Sequence, residues 1–249
     1  AGLKENDILY KVEGKEVTGK DLSKVVSKVK GEKGTTVELT VLRGEDAKEV
    51  TVTATRDTVQ AQTIEYKMMD DKIGYIRVSE FDTVTYDQYK EALDDLEKQG
   101  MTGLVVDLRN NPGGSLSTVC DMLDLMLPKG LIVYTEDKNG KKTKMKSDEE
   151  HQFTKPLAVL VNGNSASASE IFAGAVKDYG IGTIVGTTTY GKGVVQTIQP
   201  LTDGSAVKIT IAKYFTPKGN DINKKGITPD VEAELSGDIT DWAELTHEK

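Results

Sequence analysis

A serine-rich turn carries residue types that could perform nucleophilic catalysis. The run NGNSASASEI, residues 162–171, follows an apolar strand-like segment and opens an amphipathic helix. A nucleophile at such a turn stands clear of the backbone, and the helix N-terminus adds unpaired N–H groups and a positive dipole end. The residues alone leave two interpretations open. One of Ser165, Ser167 and Ser169 is a nucleophile, or it only caps the helix while Glu170 supports the first turn.

Two glycine-containing segments could complete such a site. The run LVVDLRNNPGGS, residues 104–115, predicts a buried strand followed by a turn whose backbone N–H groups can face a developing oxyanion. The run TYGKGVVQ, residues 189–196, holds a lysine between two glycines. A lysine acts as a general base only in its neutral form, which burial favours. Each segment by itself is a weak signal, since glycine turns and surface lysines are common.

Other catalytic arrangements are poorly supported. The chain has two histidines and one cysteine. His151 lies in a charged stretch and His247 lies two residues from the end, so neither resembles the packed histidine of a Ser-His-Asp triad. Zinc sites built on His and Cys are excluded by the same scarcity, and we expect no metal and no cofactor. Cys120 falls on the apolar stripe of a predicted helix and is interpreted as a buried small hydrophobe.

Composition bounds the possible partners. The chain has 249 residues and a net charge of −8, from 32 basic and 40 acidic residues. This balance argues against nucleic-acid binding, which usually requires a basic face. We find no apolar run long enough for an integral membrane segment and no signal peptide. The chain starts within what reads as a domain, so any targeting segment is expected to lie upstream.

The pattern of elements predicts an α/β fold with two domains. Residues 71–235 alternate strand-like and helix-like runs, which indicates a layered core with parallel strands. The predicted strands cover 73–81, 103–108, 131–135, 157–161 and 183–185, and the predicted helices cover 85–99, 116–127 and 167–179. Residues 58–70 are expected to form a linker, and residues 236–249 a polar tail.

The N-terminal part, residues 1–57, resembles part of a PDZ domain. Its run AGLKENDILYKVEGKEV, a following helix and two strands match the last two-thirds of that domain. The PDZ loop that binds carboxylates would precede Ala1. The resemblance therefore implies a partial, N-terminally truncated PDZ domain with an incomplete groove.

The three catalytic segments together resemble the C-terminal processing peptidases, also called tail-specific proteases. The resemblance covers about residues 1–235, including the KKGITPDV run near its end. It implies a ClpP/crotonase-like core in which Ser167 is the nucleophile, Lys192 the general base and Gln196 the residue that orients the lysine. It also implies an oxyanion hole made by the backbone N–H groups of Ala168 and Gly113, with Gly114 a close second.

The resemblance further implies a function and a setting. We expect a serine endopeptidase that captures the accessible C-terminus of a protein or peptide substrate in the PDZ groove and cleaves the chain nearby. An extracytoplasmic, bacterial location and a homodimer formed through segments outside this chain fit the family. The alternative is a catalytically silent or latent binding or scaffold protein on the same fold, which the presence of Ser167, Lys192 and Gln196 disfavours.

Four further residues receive a structural interpretation. Asp107 and Arg109 beside the glycine turn are predicted to form an ion pair that anchors the loop, although a catalytic role is an alternative. Arg43 could couple the two domains, but an exposed strand arginine is the default. Tyr190, next to the lysine, either lines the site or only packs.

Overall fold

The chain divides between Gln60 and Ala61 into two compact units. A computed structural model describes residues 2–44, 46–58, 60–148 and 151–234. Each unit has its own hydrophobic core. The predicted polar tail, residues 236–249, lies outside the described residues.

The first unit is a four-stranded antiparallel sheet with one helix. Its elements are β1 (Ile8–Val12), β2 (Lys15–Glu16), α1 (Leu22–Val29), β3 (Thr36–Arg43) and β4 (Lys48–Thr55), with the strand order β2-β1-β3-β4. The small core is formed by valines and one leucine: Val12, Val17, Val25, Val37 and Leu39. Helix α1 begins where the Asp21 carboxylate accepts hydrogen bonds from the N–H groups of Ser23 and Lys24.

Arg43 pairs with a carboxylate of the same unit. Its Nε and Nη2 donate to Asp7 at 2.8 and 2.7 Å, and Nη2 also donates to the carbonyl of Gly2. These hydrogen bonds from Arg43 lower the pKa of Asp7 to about 2. Arg43 therefore anchors the start of the chain to the end of β3, a role that the sequence alone did not indicate.

The second unit contains a six-stranded sheet, a four-stranded sheet and three helices. The six-stranded sheet has the order β14-β11-β10-β7-β6-β5, with β5 antiparallel to β6 and the other pairs parallel. Its strands are β5 (Ile64–Met68), β6 (Ile73–Val78), β7 (Gly103–Asp107), β10 (Leu157–Val161), β11 (Thr183–Gly186) and β14 (Val231–Glu232). The antiparallel sheet, in the order β12-β13-β8-β9, contains β8 (Gly130–Asp137), β9 (Lys142–Ser147), β12 (Val194–Pro200) and β13 (Ala206–Phe215).

Three amphipathic helices pack within this unit. They are α2 (Thr85–Lys98), α3 (Leu116–Asp124) and α4 (Ala168–Tyr179). Their apolar sides join the strands in one continuous core, as the 3.6-residue periodicity predicts. Among the described residues, no helix has the length and apolar character that crossing a bilayer demands.

The predicted α/β architecture is confirmed, with two differences at its margins. The linker expected over residues 58–70 is partly a strand, because Ile64–Met68 pairs with β6. Its run IEYKM alternates apolar and polar residues, but only Ile64 is buried, and Tyr66 is 43% exposed. Strand β6 ends at Val78, and Phe81 instead forms an isolated bridge with Gly114.

The single cysteine is predicted to be chemically inert in the folded chain. Cys120 is 8% exposed within α3, and burial raises the pKa of its thiol to about 12. The thiolate is the reactive form, so almost none is present near neutral pH. We expect the folded protein to react with a thiol reagent such as iodoacetamide orders of magnitude more slowly than the protein in denaturant. Equal rates in both states would contradict the burial of Cys120.

Candidate active site

Two parallel strands bring the serine-rich turn next to the glycine turn. Strands β7 and β10 are direct neighbours, and Leu160 pairs with Asp107 near their carboxyl ends. The turns that follow parallel strands emerge at the same edge of a sheet. Asparagine side chains then join them: Asn110 N donates to Asn162 Oδ1 at 3.0 Å, and Asn162 Nδ2 donates to Asn110 Oδ1 at 3.0 Å.

Ser167 directly precedes helix α4 and has an unusual backbone conformation. Its φ of 56° and ψ of −112° lie in a region that residues with a Cβ rarely adopt. Such strain costs on the order of 1–3 kcal/mol and is typical of functional turns that expose a side chain. The carboxylate of Glu170 accepts a hydrogen bond from Ser167 N at 2.9 Å, which holds this conformation.

The two neighbouring serines have structural roles. Ser165 is fully buried and donates its hydroxyl to the carbonyl of Leu108 at 2.7 Å. Ser169 is also fully buried and donates to the carbonyl of Asn111 at 3.0 Å. Of the three candidate serines, only Ser167 is among the residues that line the cavity beside the two turns. Ser167 is therefore the one of the three serines that we retain as a candidate nucleophile.

The glycine turn lies directly against Ser167. A Cβ on Gly113, whose φ is +103°, would stand 2.7 Å from the Cβ of Ser167. The N–H of Gly113, which the resemblance implies as an oxyanion donor, donates to Asn111 Oδ1 at 2.8 Å in this structure. Gly114 lines the cavity instead. In the described part of the chain, the N–H groups of Gly114 and Ala168 donate to no other group.

The lysine segment is held tightly by its glycines. A Cβ on Gly193 would stand 2.6 Å from the backbone N of Asn223, so only glycine allows this approach. On the N-terminal side of Lys192, the carbonyl of Gly191 accepts a hydrogen bond from Lys224 N at 2.7 Å. Between them, the side chain of Lys192 is half-buried and lines the same cavity as Ser167.

The Glu170 carboxylate joins the serine turn to the lysine segment. It is fully buried and accepts four hydrogen bonds, which is the full capacity of a carboxylate. Besides Ser167 N, the donors are Lys192 N at 2.8 Å, Gly191 N at 2.6 Å and the Thr189 hydroxyl at 2.6 Å. A single side chain thus fixes the backbone of both Ser167 and Lys192.

A second buried side chain contacts both backbones. The hydroxyl of Tyr214 on β13 lies within hydrogen-bond distance of the carbonyls of Ser167, at 3.1 Å, and Lys192, which share its single donor hydrogen. The tyrosine is 2% exposed, and burial raises its pKa far above the usual value. Tyr214 is therefore a neutral hydrogen-bond donor near neutral pH.

These residues surround a cavity of about 430 Å³. The residues that line it include Gly114, Ser167, Ala168, Lys192, Gln196 and Tyr214. The side chains of Ser167 and Lys192 face this cavity without a direct hydrogen bond between them. Catalytic hydrogen bonds are often long before substrate binds, so this geometry is compatible with a nucleophile and its base.

Gln196 lies in the cavity wall but has a different partner from the one expected. Its Nε2 donates to the Thr210 hydroxyl at 3.3 Å, across the β12–β13 pair. No hydrogen bond joins it to Lys192 among the described residues. A register shift between Val195 and Gln196 places both side chains in the same cavity wall.

Asp107 and Arg109 form the predicted ion pair. Arg109 donates from Nε and Nη2 to Asp107, with the shortest contact at 2.7 Å, and Asp107 is 2% exposed. The Tyr75 hydroxyl donates to the same carboxylate at 2.7 Å, and burial together with this charge raises the pKa of Tyr75. The network anchors the end of β7, from which the glycine turn begins.

The remaining candidates lie away from the cavity. Tyr190 is 67% exposed and His151 is exposed, and neither lines the cavity. His247 falls outside the described residues. Within the described ranges, no group of His, Cys, Asp and Glu side chains converges in a way that could hold a metal ion.

Sequence reasoning missed Tyr214 and Thr189 and underestimated Glu170. The partner of Tyr214 at Ser167 is 47 positions away, and no local pattern encodes that contact. Glu170 was visible three residues after Ser167, but that spacing indicated only a helix cap. Thr189 Oγ1 also accepts a hydrogen bond from Ile227 N, so it connects Glu170 to the segment that precedes β14.

The chain is similar to known processing proteases over nearly its whole length. It is 41% identical to the carboxy-terminal processing protease CtpA of Bacillus subtilis (strain 168), covering 99% of this chain and 52% of that protein. It is 37% identical to the carboxyl-terminal-processing protease of Synechocystis sp., covering 99% of this chain and 58% of that one. The chain thus spans about half the length of these relatives.

A solved structure agrees with this relationship. The photosystem II D1 C-terminal processing protease superposes with a TM-score of 0.64 at 34% identity, covering 94% of this chain and 64% of that one. A sequence model of peptidase family S41 matches residues 72–233, which include the glycine turn, the serine turn and the lysine segment. The chain belongs to peptidase family S41.

Proposed function

We propose that this chain is the catalytic part of a serine endopeptidase that cleaves protein substrates near their C-termini. Ser167 is the nucleophile and Lys192 the general base. The observation that carries the proposal is their meeting in one cavity, from segments whose backbones Glu170 joins. A catalytically silent binding protein would have no need for a strained serine beside a half-buried lysine.

The reaction follows from the roles of these groups. The Ser167 hydroxyl attacks the carbonyl carbon of the scissile bond while neutral Lys192 accepts its proton. Lys192 then gives that proton to the leaving amine, and the peptide C–N bond breaks. Water, deprotonated by the same lysine, hydrolyses the acyl-enzyme and regenerates Ser167.

Backbone donors stabilise the oxyanion that forms at each step. We assign this role to the N–H groups of Ala168 and Gly114, which have no acceptor among the described residues. The N-terminus of α4 adds its positive dipole end at the same place. Gln196 stands in the same cavity wall as Lys192, which supports a role in orienting the ammonium group once it has formed.

The first unit is assigned to substrate capture. Its sequence resembles a partial PDZ domain, a fold that binds extended C-termini by adding a strand to a sheet edge. The names of the relatives describe processing of carboxyl termini, which fits a first unit that binds the substrate C-terminus and a second unit that cleaves the chain. By the resemblance of the chain to the C-terminal processing peptidases, we assign the protein to an extracytoplasmic compartment of a bacterium.

Product mapping tests this function. The chain is incubated with an unstructured protein such as casein, and the products are identified by mass spectrometry. We expect cuts concentrated near the C-terminus, and none in a Ser167→Ala sample purified in the same way. Cuts that persist in that control, or their absence from both samples, would contradict the proposed function.

Tyr214→Phe is expected to slow turnover without abolishing it. The substitution keeps the ring but removes the hydroxyl shared by the carbonyls of Ser167 and Lys192. A lost hydrogen bond of about 1–1.5 kcal/mol corresponds to a roughly tenfold lower kcat. We expect KM to change little, because no substrate group is removed. Steady-state kinetics check this, and an unchanged kcat would contradict the positioning role.

A further inference from the structure

The cavity wall carries a second lysine that the proposed chemistry does not use. Lys208 lies in β13 and lines the cavity together with Ser167 and Lys192. Its side chain is exposed and forms no ion pair or hydrogen bond with another described residue. An ammonium group at the edge of a binding cavity, without a partner of its own, is available to a ligand.

The charged side chains that line this cavity differ in sign from the net charge of the whole chain. The protein carries a net charge of −8, yet no carboxylate lies among the described residues that line the cavity. Lysines are the charged side chains in that wall.

The β12–β13 pairing places Lys208 close to Gln196 along the strands. Thr210 pairs with Gln196, and Lys208 pairs with Ile198, two residues further along β12. Two residues of an antiparallel strand span about 7 Å. Val194, Val195 and Gln196 of β12 also line the cavity, so a polypeptide in the cavity would lie against the strand pair that carries Lys208.

We propose that Lys208 binds a carboxylate of the substrate polypeptide, close to the bond that is cut. The inference rests on the proposed function, because it takes the ligand to be a substrate chain. The carboxylate is supplied either by an Asp or Glu side chain or by the C-terminus of the substrate. In both cases Lys208 determines which sequences are cleaved and takes no part in the chemistry.

The test compares short unstructured peptides that differ in one charge. In one set, a single Glu is placed at each position in turn, and a matched peptide carries Gln there. In another, the same peptide ends in a carboxylate or in an amide. Parent protein cleaves each pair in competition, which gives the ratio of the kcat/KM values. Binding of the same labelled peptides to Ser167→Ala is measured by fluorescence anisotropy, a readout that needs no cleavage.

The variants are Lys208→Gln, Lys208→Glu and the control Lys213→Gln. Lys213 lies in the same strand, outside the residues that line the cavity, and makes only a 3.9 Å ion pair with Asp221. Each ratio compares two peptides on one protein, so a general loss of activity or folding cancels. The control removes the same charge from the same strand without changing the cavity wall.

We expect parent and Lys213→Gln to favour the carboxylate at one position by about fivefold, the size of one partly exposed ion pair. Lys208→Gln should bring that ratio to about one, and Lys208→Glu should favour a peptide with Lys at that position. A preference in the Glu set identifies a side-chain carboxylate, and one confined to the amide pair identifies the C-terminus. Equal cleavage and binding of all pairs by the parent, or a preference that survives Lys208→Gln, would overturn the proposal. Absence of cleavage with charge-dependent binding would instead contradict the proposed function alone.

Discussion

Ser167→Ala is expected to abolish peptide cleavage while leaving the fold intact. Removing the nucleophile leaves only the oxyanion donors and substrate binding, so turnover should fall by at least about 10⁴-fold. Lys192→Met should lose a comparable amount, because without a base the hydroxyl stays protonated. The double variant should be no worse than either single one, since the two groups act in one step. Cleavage kinetics of all three proteins check this.

The same position reports backbone strain independently of activity. Ser167 has a positive φ that Ala tolerates poorly and Gly tolerates well. Ser167→Gly should therefore be more stable than Ser167→Ala by about 1 kcal/mol in urea unfolding, although both are inactive. Equal stability of the two variants would contradict a strained turn.

Glu170→Ala is expected to lower both stability and activity strongly. It leaves three backbone N–H groups and the Thr189 hydroxyl without their acceptor in a buried site. An unsatisfied buried donor costs about 1–3 kcal/mol, so we expect the free energy of unfolding to fall by about 3–5 kcal/mol. Turnover should fall at least about 100-fold even where the variant is fully folded, because Ser167 and Lys192 lose their common anchor. Urea unfolding and kinetics well below the unfolding midpoint separate the two effects.

Two further variants distinguish anchoring from a general effect of charge. Glu170→Gln keeps one acceptor oxygen but turns an NH₂ group toward donors, so it should rescue only part of the loss. Glu91→Ala removes an exposed carboxylate from α2 and should change stability by no more than about 0.5 kcal/mol. Full activity of Glu170→Gln would contradict the role assigned to the second carboxylate oxygen.

The layered fold could be predicted because its signals are local. Buried parallel strands such as β7 and β10 appear as continuous apolar runs, and α2 and α4 show helical periodicity. Strand β5 was missed although its run IEYKM alternates apolar and polar residues, because five residues are a short signal and the pairing with β6 depends on the finished sheet. Local patterns therefore gave the elements of the core but not its edge.

The site was predictable only in part. Resemblance between short motifs pointed to Ser167 and Lys192, which the sheet then brings to one cavity. Which N–H of the glycine turn is free to act as a donor could not be predicted, because the hydrogen bond from Gly113 N to Asn111 Oδ1 depends on the folded conformation of the turn. The contacts of Glu170 with Lys192 join residues 22 positions apart, so they arise from tertiary structure alone.

Covalent labelling tests most directly whether Ser167 is a nucleophile activated by Lys192. A fluorophosphonate reagent forms a P–O bond with an activated serine hydroxyl and loses fluoride, while the base accepts the proton. Fragment-ion mass spectra of the digested protein then locate the adduct. We predict one adduct on Ser167 in the parent, none in Ser167→Ala, and much slower labelling in folded Lys192→Met. An adduct on Ser165, Ser169 or another serine, no adduct at all, or labelling of Lys192→Met at the parent rate would contradict the account.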